Sequence, residues 1–287
     1  MILVTGATGQ VGRPLVAALR SKGHAVRALI EPGVSSPWSA DGWSEGTLDG
    51  PVEVARADFG DVEAVERAAA GADRVFMLVP PSERQMQWQR TIIRAARHAE
   101  LVVKLSAFDS GPDSPLAMGR WHHDGEEALR ASGLPHVILR PQYFFQNLLQ
   151  DEAALRAGTL RTFIPPDQPV GMVDAQDVAA VAAAVLDGSE PPGGMLVPTG
   201  PAAITTRDVA AAVAAATGAE VREVYLPPDQ AMAALLAMGR PRWHAEDTIQ
   251  ICQTASAAVT DCVPRLVGRP ARDVSHAVAD RLRLPGL

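Results

Sequence analysis

The first twelve residues, MILVTGATGQVG, constrain this chain more than any other stretch. A short, mostly β-branched apolar run, Ile2 to Val4, is followed by Thr5, by glycines at 6, 9 and 12, and then by a helical pattern. Glycine here permits a sharp turn out of the strand, close approach of an anion to the main chain, and tight packing of helix on strand. Unpaired N–H groups and the positive end of the helix dipole favour a phosphate at the same point. The residues in question are Gly6, Thr8, Gly9, Gln10, Val11 and Gly12. Strand before, helix after and G-x-x-G-x-x-G spacing together predict a site for a dinucleotide.

The rest of the first half alternates in the same way. Strands are expected at 25–30, 52–55, 74–79 and 101–105, with helices at 11–22, from 61 to 70 and at 83–99. Such alternation predicts a parallel sheet with helices on both faces, and right-handed crossovers make it doubly wound. The segment 31–50 reads as a loop, long for this position. Further on, a helix is expected at 119–132 and strands at 136–139, 170–173, 195–198 and 221–226. Helices are expected at 175–186 and from 205, and mostly helix interrupted by proline from 227 to 287. The fold class is therefore α/β, Rossmann-like. Residues 1–150 form the dinucleotide-binding core. Residues 151–287 are mixed, part returning to the sheet and part forming a small, mostly helical substrate lobe.

A net charge of −7 argues against a nucleic-acid surface. The two cysteines, Cys252 and Cys262, lack metal-ligand spacing, and no metal is expected. No apolar run reaches the ~20 residues of a membrane span. No signal peptide precedes the first strand, so a cytoplasmic location is the expectation.

Several segments in order, ILVTGATGQVG, ADFGD at 57–61, FMLVPP at 76–81, KLSAF at 104–108, SGLPHVILRP at 132–141 and FFQNLL at 144–149, resemble the NmrA-like atypical short-chain dehydrogenases, in the branch with NAD(P)H:quinone oxidoreductases. VDAQDVAAVAAAVL and LVGRPARDVSHAVADRL extend the resemblance over most of the chain. It implies an NAD(P)H-dependent reductase acting on a quinone, enone or ketone, polycyclic aromatics included. The family also contains cofactor-sensing regulators without turnover, and biosynthetic enzymes that couple or rearrange their substrates. The expected partners are a small aromatic or carbonyl substrate and, as an assembly, a homodimer.

By resemblance, Asp58 and Phe59 lie where relatives contact adenine, and Leu78, Val79 and Pro80 beside the adenosine and ribose. Ser106, Ala107 and Phe108 flank the nicotinamide, and Pro141, Gln142 and Tyr143 wrap its end. Glu31 ends the second strand, where a carboxylate accepts hydrogen bonds from ribose hydroxyls. NADPH-using relatives usually carry Arg there. A carboxylate repels a 2′-phosphate, so Glu31 leans toward NAD(H), although Arg13, Ser35 and Ser36 are within reach of such a phosphate. The Tyr-x-x-x-Lys dyad of other short-chain dehydrogenases is missing, because Tyr143 and Tyr225 are followed four residues on by Asn147 and Asp229. In its place RWHHDGEEAL offers His122 and Glu126, one helical turn apart, either as a catalytic pair or as helix support. Ser106 completes the catalytic candidates, and Phe144, Phe145, Trp121 and Trp243, with Met118, are the substrate candidates.

Overall fold

The computed structural model describes residues 1–35 and 52–283. Ser36 and most of the loop expected at 31–50 therefore lie outside the described residues. The strands are β1 (Ile2–Thr5), β2 (Val26–Ile30), β3 (Glu53–Arg56), β4 (Arg74–Met77), β5 (Leu101–Leu105), β6 (His136–Leu139), β7 (Thr159–Thr162), β8 (Met195–Leu196) and β9 (Arg222–Tyr225). The helices are α1 (Gly12–Ser21), α2 (Val62–Ala69), α3 (Gln85–Ala95), α4 (Ala117–Ala131), α5 (Phe145–Leu148), α6 (Glu152–Arg156), α7 (Ala175–Leu186), α8 (Thr206–Thr217), α9 (Pro228–Ala237), α10 (Arg242–Thr254), α11 (Cys262–Val267) and α12 (Val274–Leu282).

The chain forms two compact units. The first contains residues 1–113, 118–140 and 178–196. Its seven-stranded sheet runs β3-β2-β1-β4-β5-β6-β8, with every pairing parallel. The order reverses after β1, which makes it the doubly wound sheet that the alternation predicts, with its ligand edge at the strands' carboxyl ends. The central strands β1 and β5 are buried along their whole length, as a parallel sheet covered on both faces requires. Against one face pack Val65, Ala68, Ile92, Ile93, Ala96 and Leu129 with Leu3, Val75 and Val102.

The second unit contains residues 114–117, 141–177 and 197–287. It holds a two-stranded parallel sheet, β7 with β9, and a core built from Leu155, Leu160, Met172, Val209, Val213, Cys252 and Val278 among others. The strand expected at 221–226 is β9, and its partner β7 was not anticipated. The strand expected at 170–173 is reduced to two isolated bridges, Phe144 with Val173 and Val170 with Ile204. The VDAQD and GRPARD segments meet here. Arg272 pairs with the buried Asp174 at 2.8 Å and Arg269 with the buried Asp177 at 2.7 Å. Among the described residues, no helix is long and apolar enough to cross a membrane.

Candidate functional site

At the carboxyl end of β1 the chain leaves the sheet through Gly6 in a left-handed conformation (φ 63°), which favours glycine. A Cβ at Gly6 would sit 2.8 Å from Leu78 Cγ, and one at Gly12 would sit 2.1 Å from the Gly6 carbonyl oxygen. Gly6 is thus demanded by its left-handed conformation and the Leu78 side chain, and Gly12 by backbone approach. Thr5 locks the adjacent strand end, its Oγ1 donating to Leu78 O (2.7 Å) and accepting from Leu78 N (2.8 Å). The turn closes through Gly9 N–H to Gly6 O at 3.0 Å. Helix α1 then begins at Val11 with no side-chain cap and no acidic residue in its first turn. Gly9, Gln10 and Arg13 are exposed at this point. An uncapped helix start beside bare main chain suits a diphosphate, so the residues present fit a dinucleotide.

Along the same sheet edge, Glu31 after β2 and Asp58 after β3 face one another with Arg84. Burial raises the Glu31 carboxyl above its ordinary range, the neighbouring Asp58 raises it further, and Arg84 partly opposes both. Arg84 lies 4.0 Å from Asp58 and stacks over the Trp88 ring at 5.3 Å. Asp58 does not cap α2. That role belongs to Asp61, which accepts from Ala64 N, while Asp58 closes a turn onto Gly60 N. The ring of Phe59 is buried against Trp88, so only its main chain faces the edge. Val79 is buried, whereas Pro80 is exposed and Leu78 half-buried.

Past β5 the structure corrects the expected pairing of His122 with Glu126. His122 Nδ1 lies 3.2 Å from the Nζ of Lys104, a lysine enclosed in β5 at 1% exposure. The Glu126 carboxylate is wholly buried and committed elsewhere. Ser106 Oγ donates to its Oε1 at 2.5 Å, Arg140 Nε and Nη2 donate at 2.9 and 2.6 Å, and Arg130 Nη2 donates at 3.1 Å. Burial works to raise the Glu126 pKa, but the hydrogen bonds from Arg140 and Ser106 prevail and hold it below the usual range. Glu126 is therefore a clamped anion and not an acid. The Ser106 proton points inward to it, which removes that hydroxyl as a donor to substrate. Burial, then the charges of Lys104 and Arg140, push His122 well below its ordinary value, so its imidazole is neutral at pH 7. Burial likewise lowers Lys104 to about 7, with Glu126 opposing the shift.

Ala107 and Phe108 are half-buried just beyond Ser106, and Trp121 is half-buried with its carbonyl accepting from Gln89 Nε2 at 3.0 Å. The remaining candidates belong to the second unit. There Pro141 is buried, Tyr143 and Phe144 are half-buried, and Tyr143 Oη sits 3.8 Å from Cys252 Sγ. Phe145 is 1% exposed and part of that unit's apolar core, so its ring is unavailable for stacking on a substrate and it leaves the substrate set. Trp243 is half-buried with its ring edge-on to His244 at 5.4 Å. Three charged residues escaped the sequence reading: Lys104, Arg140 and Arg84. For Lys104 a signal existed, since a charge inside the run LVVKL is an anomaly in a strand buried on both faces.

Comparison with known proteins accords with this geometry. The profile of the NmrA-like family matches residues 1–258. The (4-alkanoyl-5-oxo-2,5-dihydrofuran-3-yl)methyl phosphate reductase of Streptomyces griseus subsp. griseus is 34% identical over 277 residues, covering 95% of this chain and 94% of the relative. The NAD(P)H azoreductase of Xenophilus azovorans is 32% identical over 279 residues, covering 95% and 94%. The structure of the Escherichia coli NADPH-dependent quinone oxidoreductase complexed with NADPH superposes with a TM-score of 0.80 at 24% identity, covering 98% of this chain and 99% of that one, which shows the shared fold. By the profile match and by relatives above 30% identity along 95% of its length, the chain belongs to the NmrA-like family.

Proposed function

We propose that this protein is an NAD(P)H-dependent oxidoreductase that reduces a quinone, enone or ketone, with flat aromatic compounds as the preferred class. The observation that carries this reading is the bare main-chain cradle from Gly6 to Gly12, which ends on an uncapped helix. When bound there, the reduced nicotinamide supplies the hydride. Gln10 and Val11 offer main-chain N–H groups to the diphosphate, while the Gly9 N–H closes the turn onto Gly6 O. Glu31 and Asp58 take the adenosine end, with Leu78, Val79 and Pro80 beside it. Ser106 to Phe108 border the reacting end through main chain and the Phe108 ring. His122, neutral with one nitrogen on Lys104, presents its other nitrogen as a proton donor to the reduced oxygen. Quinones demand little acid help, in keeping with a site that lacks the Tyr-Lys dyad.

The test is oxidation of NADH and NADPH by the purified protein against a panel of quinones, azo dyes, enones and ketones. Turnover of a quinone is expected, and His122→Phe lowers kcat by about 100-fold without altering NADH affinity. Tight cofactor binding with no turnover across the panel would sink the reductase reading and leave a cofactor sensor.

We further infer a preference for NAD(H). Two carboxylates and one guanidinium leave the Glu31–Asp58–Arg84 patch net negative, and a 2′-phosphate meets repulsion there. Calorimetric titration should show NADH binding more tightly than NADPH. Glu31→Arg should move the ratio toward NADPH by about tenfold to a hundredfold, the worth of one charge-assisted hydrogen bond. An unchanged ratio would mean that Glu31 does not face the ribose.

A further inference from the structure

Lys104 is the one feature of this region that neither the fold nor cofactor binding explains. A lysine at 1% exposure inside a fully buried strand costs stability unless it is paired. Its Nζ has two partners at hydrogen-bond distance, Leu105 O at 3.4 Å and His122 Nδ1 at 3.2 Å. The charged groups that act on it are Glu126 and Arg130 from α4 and Arg140 after β6, the first opposing loss of its proton and the arginines favouring it. An ammonium has no lone pair, so when Lys104 is protonated the nitrogen facing it must be the acceptor. That leaves the His122 proton on Nε2, the nitrogen without a partner among the described residues.

We propose that Lys104 is the positioning residue and proton reservoir of His122, holding the ring as the Nε2–H tautomer and refilling it at Nδ1 when Nε2 gives up its proton. This rests on the reading of His122 as the donor in the proposed reduction. The step balances. As the substrate heteroatom gains the electron pair of the hydride transfer, the Nε2–H bond breaks and its proton forms the new O–H bond. One Nζ proton of Lys104 moves to Nδ1, so the imidazole stays neutral with its tautomer reversed, and Lys104 becomes an amine. Nδ1 then hands its proton back to Nζ as a solvent proton returns to Nε2. Each turnover thus takes one proton from water, and no charge builds up on the ring. An ammonium pushed to about 7 beside an imidazole well below its usual value suits such a shuttle, because the resting proton sits on the lysine yet leaves it easily.

The composition makes this testable without substrate. The chain contains only two lysines, Lys22 and Lys104, so 13C-lysine labelling yields two side-chain signals, with the surface residue Lys22 as internal reference. The Lys104 signal should titrate near neutrality. 15N-histidine spectra at pH values below that titration should show His122 as the Nε2–H tautomer, assigned by its loss in His122→Phe. A His122 signal of the Nδ1–H form there, or a Lys104 signal that does not titrate near neutrality, overturns the proposal whatever the enzyme turns over.

In turnover, kcat of the wild type should fall as pH rises through the Lys104 titration. Lys104→Met should lower kcat by about 100-fold and abolish that limb, with KM and NADH affinity unchanged. Lys104→Arg keeps the charge at Nδ1 but releases no proton, so it should restore the tautomer and not kcat. Full turnover with a wild-type pH profile in Lys104→Arg would reduce Lys104 to a fixed charge and defeat the reservoir. If the wild type reduces nothing on the panel, the reductase reading fails, while the tautomer and the lysine titration still decide the pairing.

Discussion

Replacing Gly12 with alanine should abolish high-affinity nucleotide binding. An added Cβ would lie 2.1 Å from the Gly6 carbonyl oxygen and 2.7 Å from Ala7 Cα, both main-chain atoms that no rotamer change can move aside. The start of α1 must therefore shift away from the turn after β1, and the N–H groups that receive the diphosphate shift with it. Two charge-assisted hydrogen bonds lost or misaligned correspond to an affinity loss of at least about 100-fold. The overpacking itself costs about 1–3 kcal/mol of stability. Calorimetric titration with NADH and a thermal melt separate the two effects. Gly111→Ala is the matched control, since its added Cβ meets nothing within 4 Å. A Gly12→Ala protein with wild-type affinity would show that the phosphates bind elsewhere.

The second large effect should come from Glu126→Ala. Glu126 is wholly buried, and the same carboxylate serves Arg140, Arg130 and Ser106. Removing it leaves the Arg140 guanidinium, at 17% side-chain exposure, without its counter-charge. Breaking a buried pair from one side costs about 3–5 kcal/mol, read as a fall in the denaturant midpoint. Glu126→Leu combined with Arg140→Leu should recover most of that loss, because the remaining cost of a buried pair is desolvation. Glu126 also opposes loss of the Lys104 proton, so the single variant should titrate Lys104 at a lower pH than the wild type does.

The same carboxylate sets an acid limit. Its folded-state pKa lies below the ordinary 4.5, so its contribution is complete above about pH 4.5 and is lost as pH falls through the folded value. Urea titrations at pH 7 and pH 4 should show the wild type losing stability on acidification more steeply than Glu126→Gln. Parallel losses in the two proteins would contradict the clamp.

The elements that sequence reading located well are those with local causes. The run Ile2–Val4, the glycines that follow it, and the apolar spacing of Leu15, Val16 and Leu19 in α1 announce themselves within a few turns of chain. The elements it missed are short. β7 has four residues and α5 four, too few for a periodic signal, and β9 found its partner only through long-range pairing. The strand expected at 170–173 has the right composition, but only its two ends make β-bridges, Val170 with Ile204 and Val173 with Phe144, while Gly171 and Met172 bond to Ser256 and Gly200.

The candidate site divides along the same line. The chain's own order of residues established a nucleotide-binding α/β sheet and a cradle of bare main chain, because hydrophobic period and backbone freedom act over a dozen residues. Folding alone decided the partners of the charged groups. Lys104 and His122 stand eighteen positions apart, Ser106 and Glu126 twenty, and Glu126 and Arg140 fourteen. A carboxylate that reads as half of a catalytic pair becomes a clamp once two arginines reach it, and a lysine hidden in an apolar strand becomes the partner of the histidine. Electrostatic energies depend on distance and burial in space, and neither is written in the spacing of letters.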